Sequence, residues 1–209
     1  MTTGTSDFDA RASTWDADPA KVDRARRVAE AIARDVPDLA TRSVLDYGAG
    51  TGLLGFHLFP RASRITFADV SKGMLAVVEE KISRLGAGNA DAILLDLTRD
   101  PPPVRRFGLL CSLMALHHMP DVDGILKSFH SILESGGVLC ISDLDREDGS
   151  FHGPGVQVHP GFDRPALEGK IRAAGFGPVR FSTPCDVRKE VGGEVRTYPI
   201  FLAIAARLG

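Results

Sequence analysis

Val44-Leu45-Asp46-Tyr47-Gly48-Ala49-Gly50-Thr51-Gly52 is the stretch from which the rest of the chain can be read. Two β-favouring apolar residues lead into an acid and a glycine-rich turn, and Leu53, Leu54 and Phe56 follow at once. That order predicts a buried parallel strand, a tight loop and the start of a helix. Glycines at 48, 50 and 52 remove Cβ atoms where backbone must turn sharply and pass close to a ligand. A triphosphate loop is a poor match, because no Gly-Lys-Ser/Thr is present. Nor is the run from Gly48 a clean Gly-x-Gly-x-x-Gly, since position 53 is Leu.

Outward from this run the chain alternates. Asp18-Pro19 is a helix start, with Asp as cap and Pro at the first helical position. Val22, Ala25, Ala29, Ile32 and Val36 share one face of a helix over 19–36, which Pro37 ends. Ile65–Asp69 reads as a second strand ending in an acid about twenty residues beyond the loop, where a carboxylate can accept both hydroxyls of a ribose. Ser71 caps a helix carrying Met74, Leu75, Val78, Ile82 and Leu85. Ala90–Leu95 is the third strand, closed by Asp96-Leu97, and Phe107–Met114 is the fourth, apolar throughout and so covered on both faces. A helix begins at Asp121, Val138–Ser142 is the fifth strand, and Phe162–Pro165 restarts a helix ending near Gly175. Val179–Thr183 and Val195–Ala206 are the last strands, turning at Gly192-Gly193, so the final one returns antiparallel.

The acid, one residue, then Gly-x-Gly-x-Gly resembles the first motif of the class I S-adenosylmethionine-dependent methyltransferases. The small-molecule enzymes, such as the ubiquinone/menaquinone-biosynthesis group, are the nearest in pattern. The resemblance implies an α/β fold with a doubly wound seven-stranded sheet, mostly parallel with an antiparallel last strand, and helices on both faces. It implies S-adenosyl-L-methionine as cofactor. Gly48, Gly50 and Gly52 would wrap its amino-acid end, and Asp46 would orient the loop or reach the amine through water. Asp69 would bind the ribose, followed by Val70, Ser71 and an adenine-facing Met74. Asp96 would meet the adenine amine while the Leu97 backbone N–H reads the ring. Phe8-Asp9 and Trp15-Asp16 resemble the family's N-terminal cap, whose aromatics close over cofactor or acceptor. Leu133-Glu134-Ser135-Gly136-Gly137-Val138-Leu139 resembles the family's turn into the fifth strand, with Ser135 in place of Pro.

In the family, the segment Ala115–Pro120 lines the cleft where donor and acceptor meet. A protonated acceptor needs a base, and histidine titrates near working pH, at ~6.5. His57 and His130 sit in helical runs and read as structural, while His117 and His118 lie at a strand end and His152 and His159 in a long irregular stretch. His118, His152 and His159 are therefore the catalytic candidates. A metal is not expected, because only 117 and 118 are closely spaced and adjacent rings do not easily point at one atom. Irregular chain of that length is unusual unless it has a task. We expect a single domain over 1–209, with 1–36 as N-terminal cap and helix and 145–161 as a lid on the acceptor side.

Composition sets the bounds. The 209 residues are 44% hydrophobic and 25% charged, which are globular values, and Met1–Asp7 is expected to fray. A formal net charge of -2 gives no general attraction for nucleic acid. Cys111, Cys140 and Cys185 form no Cys-x-x-Cys pair and read as buried thiols in a reducing compartment. Neither a long apolar span nor a basic-then-apolar leader occurs, so a cytoplasmic protein without membrane or nucleic-acid partners is expected, acting on a small-molecule methyl acceptor as monomer or homodimer. The opposing expectation is a non-catalytic protein of the same fold that binds the cofactor or serves a partner.

Overall fold

The computed structural model describes residues 5–153 and 155–209, with nothing said of the Thr5 side chain. Seven strands form one sheet in the order β3-β2-β1-β4-β5-β7-β6. They are β1 (Ser43–Tyr47), β2 (Arg64–Asp69), β3 (Ala90–Leu94), β4 (Phe107–Leu113), β5 (Leu133–Leu144), β6 (Arg180–Val191) and β7 (Glu194–Ala206). The first five run parallel where they pair, and β7 is antiparallel to both β5 and β6. This is the sheet the sequence predicts.

Among the described residues, six α-helices accompany the sheet: α1 (Thr5–Arg11), α2 (Pro19–Asp35), α3 (Leu53–Leu58), α4 (Lys72–Leu85), α5 (Val122–Ile132) and α6 (Arg164–Ala173). Their starts follow from local chemistry. Asp18, Ser71, Asp121 and Asp163 each accept a backbone N–H of the first turn, and Pro follows Asp18 directly. Gly86, at φ 61°, closes α4 in the left-handed region that favours glycine.

Strand residues alternate between two cores. Val44, Ile65, Phe67, Leu109 and Cys140 face α2 and α3, while Leu45, Tyr47, Leu110, Ile141 and Phe201 face α5 and α6. A sheet buried on both faces explains why β4 reads as one continuous apolar run. All three cysteines are free and buried.

Three boundaries differ from the sequence reading. Residues 5–7 lie in α1 rather than fraying, and Met1–Gly4 lie outside the described residues. β6 extends to Val191 instead of stopping at Thr183, because a register shift between Ser182 and Cys185 carries the pairing past Pro184. β5 takes in the Gly136-Gly137 turn and pairs with β4 from Leu133, with a second shift between Phe107 and Leu109.

Candidate active site

The glycine run leaves β1 at the carboxyl edge of the sheet, where ligands bind in open α/β folds. Gly48, Gly50 and Gly52 all have left-handed φ, at 68°, 55° and 82°. Their surroundings differ. A Cβ on Gly48 would stand 2.5 Å from Ala115 Cβ, and one on Gly52 would strike the rings of Phe56 and Phe67. A Cβ on Gly50 would meet nothing within 4 Å, so this glycine alone of the three faces open space.

Gly55 completes the turn. Its Cβ would lie 2.4 Å from the Phe67 ring and 2.8 Å from Asp46 Oδ2, so its absence lets α3 pack directly on the sheet. Gly50-Thr51-Gly52-Leu53-Leu54-Gly55 is a Gly-x-Gly-x-x-Gly run, found by shifting the frame two residues from Gly48. Its last glycine serves close helix–strand packing.

Two acids hold the loop from beneath. Asp46 is buried, and its Oδ2 accepts the Gly55 N–H at 2.9 Å, while the Cys111 thiol faces Oδ1 at 3.8 Å. Burial pushes its carboxyl up to about 7. Asp69 Oδ2 accepts the Gly50 N–H at 2.7 Å, and Oδ1 accepts the Ser71 N–H at 2.9 Å. Burial raises the Asp69 carboxyl too, against the pull of the Ser71, Gly50 and Val70 amides. Val70 beside it is exposed, whereas Met74 is wholly buried.

At the end of β3, Asp96 turns back on its own chain: Oδ1 accepts both the backbone N–H and the hydroxyl of Thr98. The Leu97 N–H donates to the buried Tyr47 hydroxyl at 3.0 Å. The structure thus gives that amide a protein partner.

The N-terminal segment lies across this edge. Asp9 accepts the Ser71 hydroxyl at 2.5 Å and the Gly73 N–H at 2.8 Å. Asp16 accepts the Thr51 hydroxyl at 2.5 Å and pairs with Lys81, whose ammonium also donates to the Thr51 carbonyl at 2.7 Å. Trp15 is held between cations, with Lys21 4.1 Å and Arg11 4.9 Å from its ring centre. Its neighbour Asp16, not Trp15, makes the bond to the glycine loop.

The second half of the site lies beyond β4. Met114, a non-glycine residue at φ 55°, turns the chain out of the strand at a cost of about 1–3 kcal/mol. His117 is buried, and its Nδ1 lies 2.6 Å from Asp143 Oδ1. The His117 N–H donates to Asp143 Oδ2 at 3.1 Å, and the Leu144 N–H donates to Oδ1 at 2.7 Å. Burial would raise the Asp143 carboxyl, but the His117 imidazole and these amides hold it below its ordinary value. With an ionised acceptor at Nδ1, that nitrogen carries a proton, so the neutral ring has its lone pair on Nε2. Nε2 is itself buried without a hydrogen-bond partner among the described residues.

Two candidates from the sequence join it. The His118 ring centre is 4.1 Å from that of His117, and His152 reaches back from the long loop to 4.8 Å from His117 and 5.6 Å from His118. Desolvation and its histidine neighbours push His118 down to about 3; desolvation, His117 and Lys189 push His152 down to about 4. His159 goes elsewhere. Its Nε2 lies 3.0 Å from the Met119 carbonyl, so it donates, and its ring stacks near Phe162. No group of three His, Cys, Asp or Glu among the described residues is arranged to hold a metal ion.

The 145–161 stretch is tied down near both its ends. The Arg146, Glu147 and His159 amides donate to Phe162, Pro160 and His117, Tyr198 and Ser150 share a hydroxyl contact at 2.7 Å, and Lys189 donates to the Phe151 carbonyl. Sequence reasoning set His117 at a strand end without choosing it as the base, weighed Asp143 only as completing a metal site, and passed over Thr51, Lys81 and Gly55. Only Gly55 carries a local signal, the shifted glycine frame. The others are joined by topology.

Residues 44–137 match the methyltransferase domain family Methyltransf_25. The matched segment makes the chain similar to the class I S-adenosylmethionine-dependent methyltransferases. It is 32% identical over 143 residues to an uncharacterized methyltransferase of Schizosaccharomyces pombe, covering 65% of this chain and 49% of that one. It is 29% identical over 117 residues to a ubiquinone biosynthesis O-methyltransferase of Marinobacter nauticus, covering 54% and 48%. The chain thus spans about half the length of these curated relatives. Among solved structures, magnesium protoporphyrin IX methyltransferase from Synechocystis with bound SAH superposes with a TM-score of 0.66 at 16% identity, over 90% of this chain and 84% of that one. Among the described residues, no helix is long and apolar enough to cross a membrane.

Proposed function

We propose that this protein transfers a methyl group from S-adenosyl-L-methionine to a small-molecule acceptor. One observation carries the reading: the open-faced Gly50, tied to Asp69, lies in a loop whose Gly48 packs on Ala115, two residues before the buried His117. A cofactor loop and a candidate proton acceptor thus share one cleft. The residues fit the cofactor, because at Gly50 a ligand could come as close as the backbone itself allows.

Gly48, Gly50 and Gly52 would shape the bed for its amino-acid end, with Asp46 holding the loop rather than touching the ligand. Asp69 has lone pairs left for the ribose after its two amide bonds, Val70 is placed beside them, and Asp96 Oδ2, which Arg99 approaches at 3.6 Å, would turn to the adenine amine. Met74 and Leu97 would support this wall through packing, and Trp15 would brace the cap. When bound, the cofactor supplies a methyl carbon already activated on a sulfonium. The chain's own tasks are to align the acceptor, exclude water and receive a proton where the acceptor carries one. His118 and His152 would present neutral rings to the acceptor, and His159 would fix the 145–161 segment as its lid. The reading includes a single domain, a cytoplasmic location and action as a monomer or homodimer.

Incubation with methyl-labelled S-adenosylmethionine and a panel of phenols, amines and thiols tests the proposal. Label transfer to one class is expected. Cofactor binding without transfer to any class would favour the non-catalytic reading, and absence of binding would overturn methyl transfer.

A further inference from the structure

Resting on the methyl-transfer reading, we propose that His117, oriented by Asp143, takes the proton from the acceptor, and that the acceptor is an acidic hydroxyl compound, a phenol or enol. His118, His152 and His159 were the sequence candidates for this task, but the geometry singles out their neighbour. His117 Nδ1 is fixed at 2.6 Å from a buried carboxylate, which sets the tautomer of the neutral ring and leaves its Nε2 lone pair buried and without a hydrogen-bond partner among the described residues. Asp143 acts through His117 and is a positioning residue. It also stabilises the imidazolium that forms when Nε2 is protonated, as a carboxylate does behind any general-base histidine.

The acceptor class follows from matching acid to base. A thiol, with pKa ~8.5, ionises appreciably without help, and an alkylamine, mostly ammonium with pKa ~10.4, must lose its proton before its lone pair can attack at all. A phenol, with pKa ~10, is largely protonated near neutrality, yet close enough to imidazole for transfer during the reaction. An aliphatic alcohol is a far weaker acid than a phenol, so the phenol is the closer match to this base. The surroundings suit a flat ring. Phe8 stands edge-on to His118 at 5.5 Å and Phe151 to His152 at 4.9 Å, so aromatic edges flank the cluster. In the step itself, the acceptor oxygen forms its bond to the methyl carbon as the carbon–sulfur bond breaks, with that electron pair left on sulfur. The hydroxyl proton passes to His117 Nε2 and thence to solvent.

The test uses the whole chain saturated with S-adenosylhomocysteine, and 4-nitrocatechol as probe, because its phenolate absorbs visible light. At a pH where the free probe is mostly un-ionised, the wild-type complex should bind it as the phenolate. His117→Gln should lose that absorbance, and Asp143→Asn should weaken it. With S-adenosylmethionine in place of the product, methylation of the probe by His117→Gln should fall by about 10²–10⁴-fold. Calorimetry with S-adenosylhomocysteine on the same samples should show unchanged affinity. Should either variant fail to fold, ¹⁵N-histidine spectra of the wild type still decide, since probe binding must convert one buried Nε2 from bare to protonated. An equally ionised probe in His117→Gln, no probe binding to the wild-type complex, or an unchanged Nε2 signal would each overturn the proposal. Absence of S-adenosylhomocysteine binding would instead remove the methyl-transfer reading beneath it.

Discussion

On the β1–β2 side of the cleft, acids grip backbone: Asp69 takes the amides of Gly50 and Ser71, and Asp46 that of Gly55. On the β4–β5 side, side chains grip side chains: Asp143 reaches His117 across 26 positions of sequence, and His152 arrives from a loop beyond β5. The first half is a shape in the main chain, so it needs particular conformations at a few consecutive residues. The second is a set of side-chain positions that any suitable scaffold could supply. A loop of the first kind suits a constant ligand, and a cluster of the second kind suits an acceptor that varies between relatives.

Asp69→Ala probes this division with the largest expected effect. It strands the Gly50 and Ser71 amides and removes charge-assisted bonds worth ~1.5–3 kcal/mol each. Calorimetry should show S-adenosylhomocysteine affinity reduced by about 100-fold or more, whereas His152→Gln should leave it within about twofold. Equal losses from the two variants would dissolve the distinction between the halves.

The two halves were also unequally legible in the sequence. Asp46, Gly48, Gly50, Gly52 and Asp69 occupy one strand–loop–helix unit and the end of the next strand, so spacing alone places them. The apolar runs likewise set out the seven strands, because a sheet buried on both faces leaves few polar interruptions. His117 was legible only as a histidine at a strand end. Its choice over His118 and His159 depends on Asp143, which adjoins it only because β4 and β5 pair through Leu113↔Ser142. The β6 extension escaped for a similar reason, since Pro184 reads as a strand terminator until the shifted register carries pairing past it.

Glycine substitutions sharpen the comparison within the first half. Gly55→Ala drives a methyl group into Phe67 and Asp46 and should cost about 1–3 kcal/mol of folding stability, read by denaturant titration. Gly50→Val, open-faced but at φ 55°, should lower ligand affinity by a larger factor than it lowers stability. Comparable losses of affinity and stability at Gly50 would mean that its open face is not the ligand's bed.

Acidity gives a further separation. The Asp46 carboxyl rises from its ordinary 3.8 to about 7 on folding, so the folded state holds the proton more tightly. Between those values its ionisation opposes folding, by ~1.4 kcal/mol per pH unit at most, and stability from this group falls as pH rises. Asp46→Asn should remove that component, visible as a change in the slope of stability between pH 4 and 7 (roughly the window of the shift). The second half has the opposite sign. His152, lowered to about 4, favours the unfolded state as pH falls below its ordinary 6.5, and His152→Gln should flatten the acid limb.

The smallest effect belongs to the cap. Asp16→Asn weakens a partly exposed pair with Lys81 and should change stability by less than about 1 kcal/mol. Because the Thr51 hydroxyl also loses its charged partner, ligand release should quicken more than melting shifts.

Isothermal titration of the wild-type chain with S-adenosylhomocysteine, and in parallel with NAD, tests the central claim most directly. Saturable one-to-one binding of S-adenosylhomocysteine with no comparable heat from NAD is the predicted result. Tight NAD binding without a S-adenosylhomocysteine signal would contradict it.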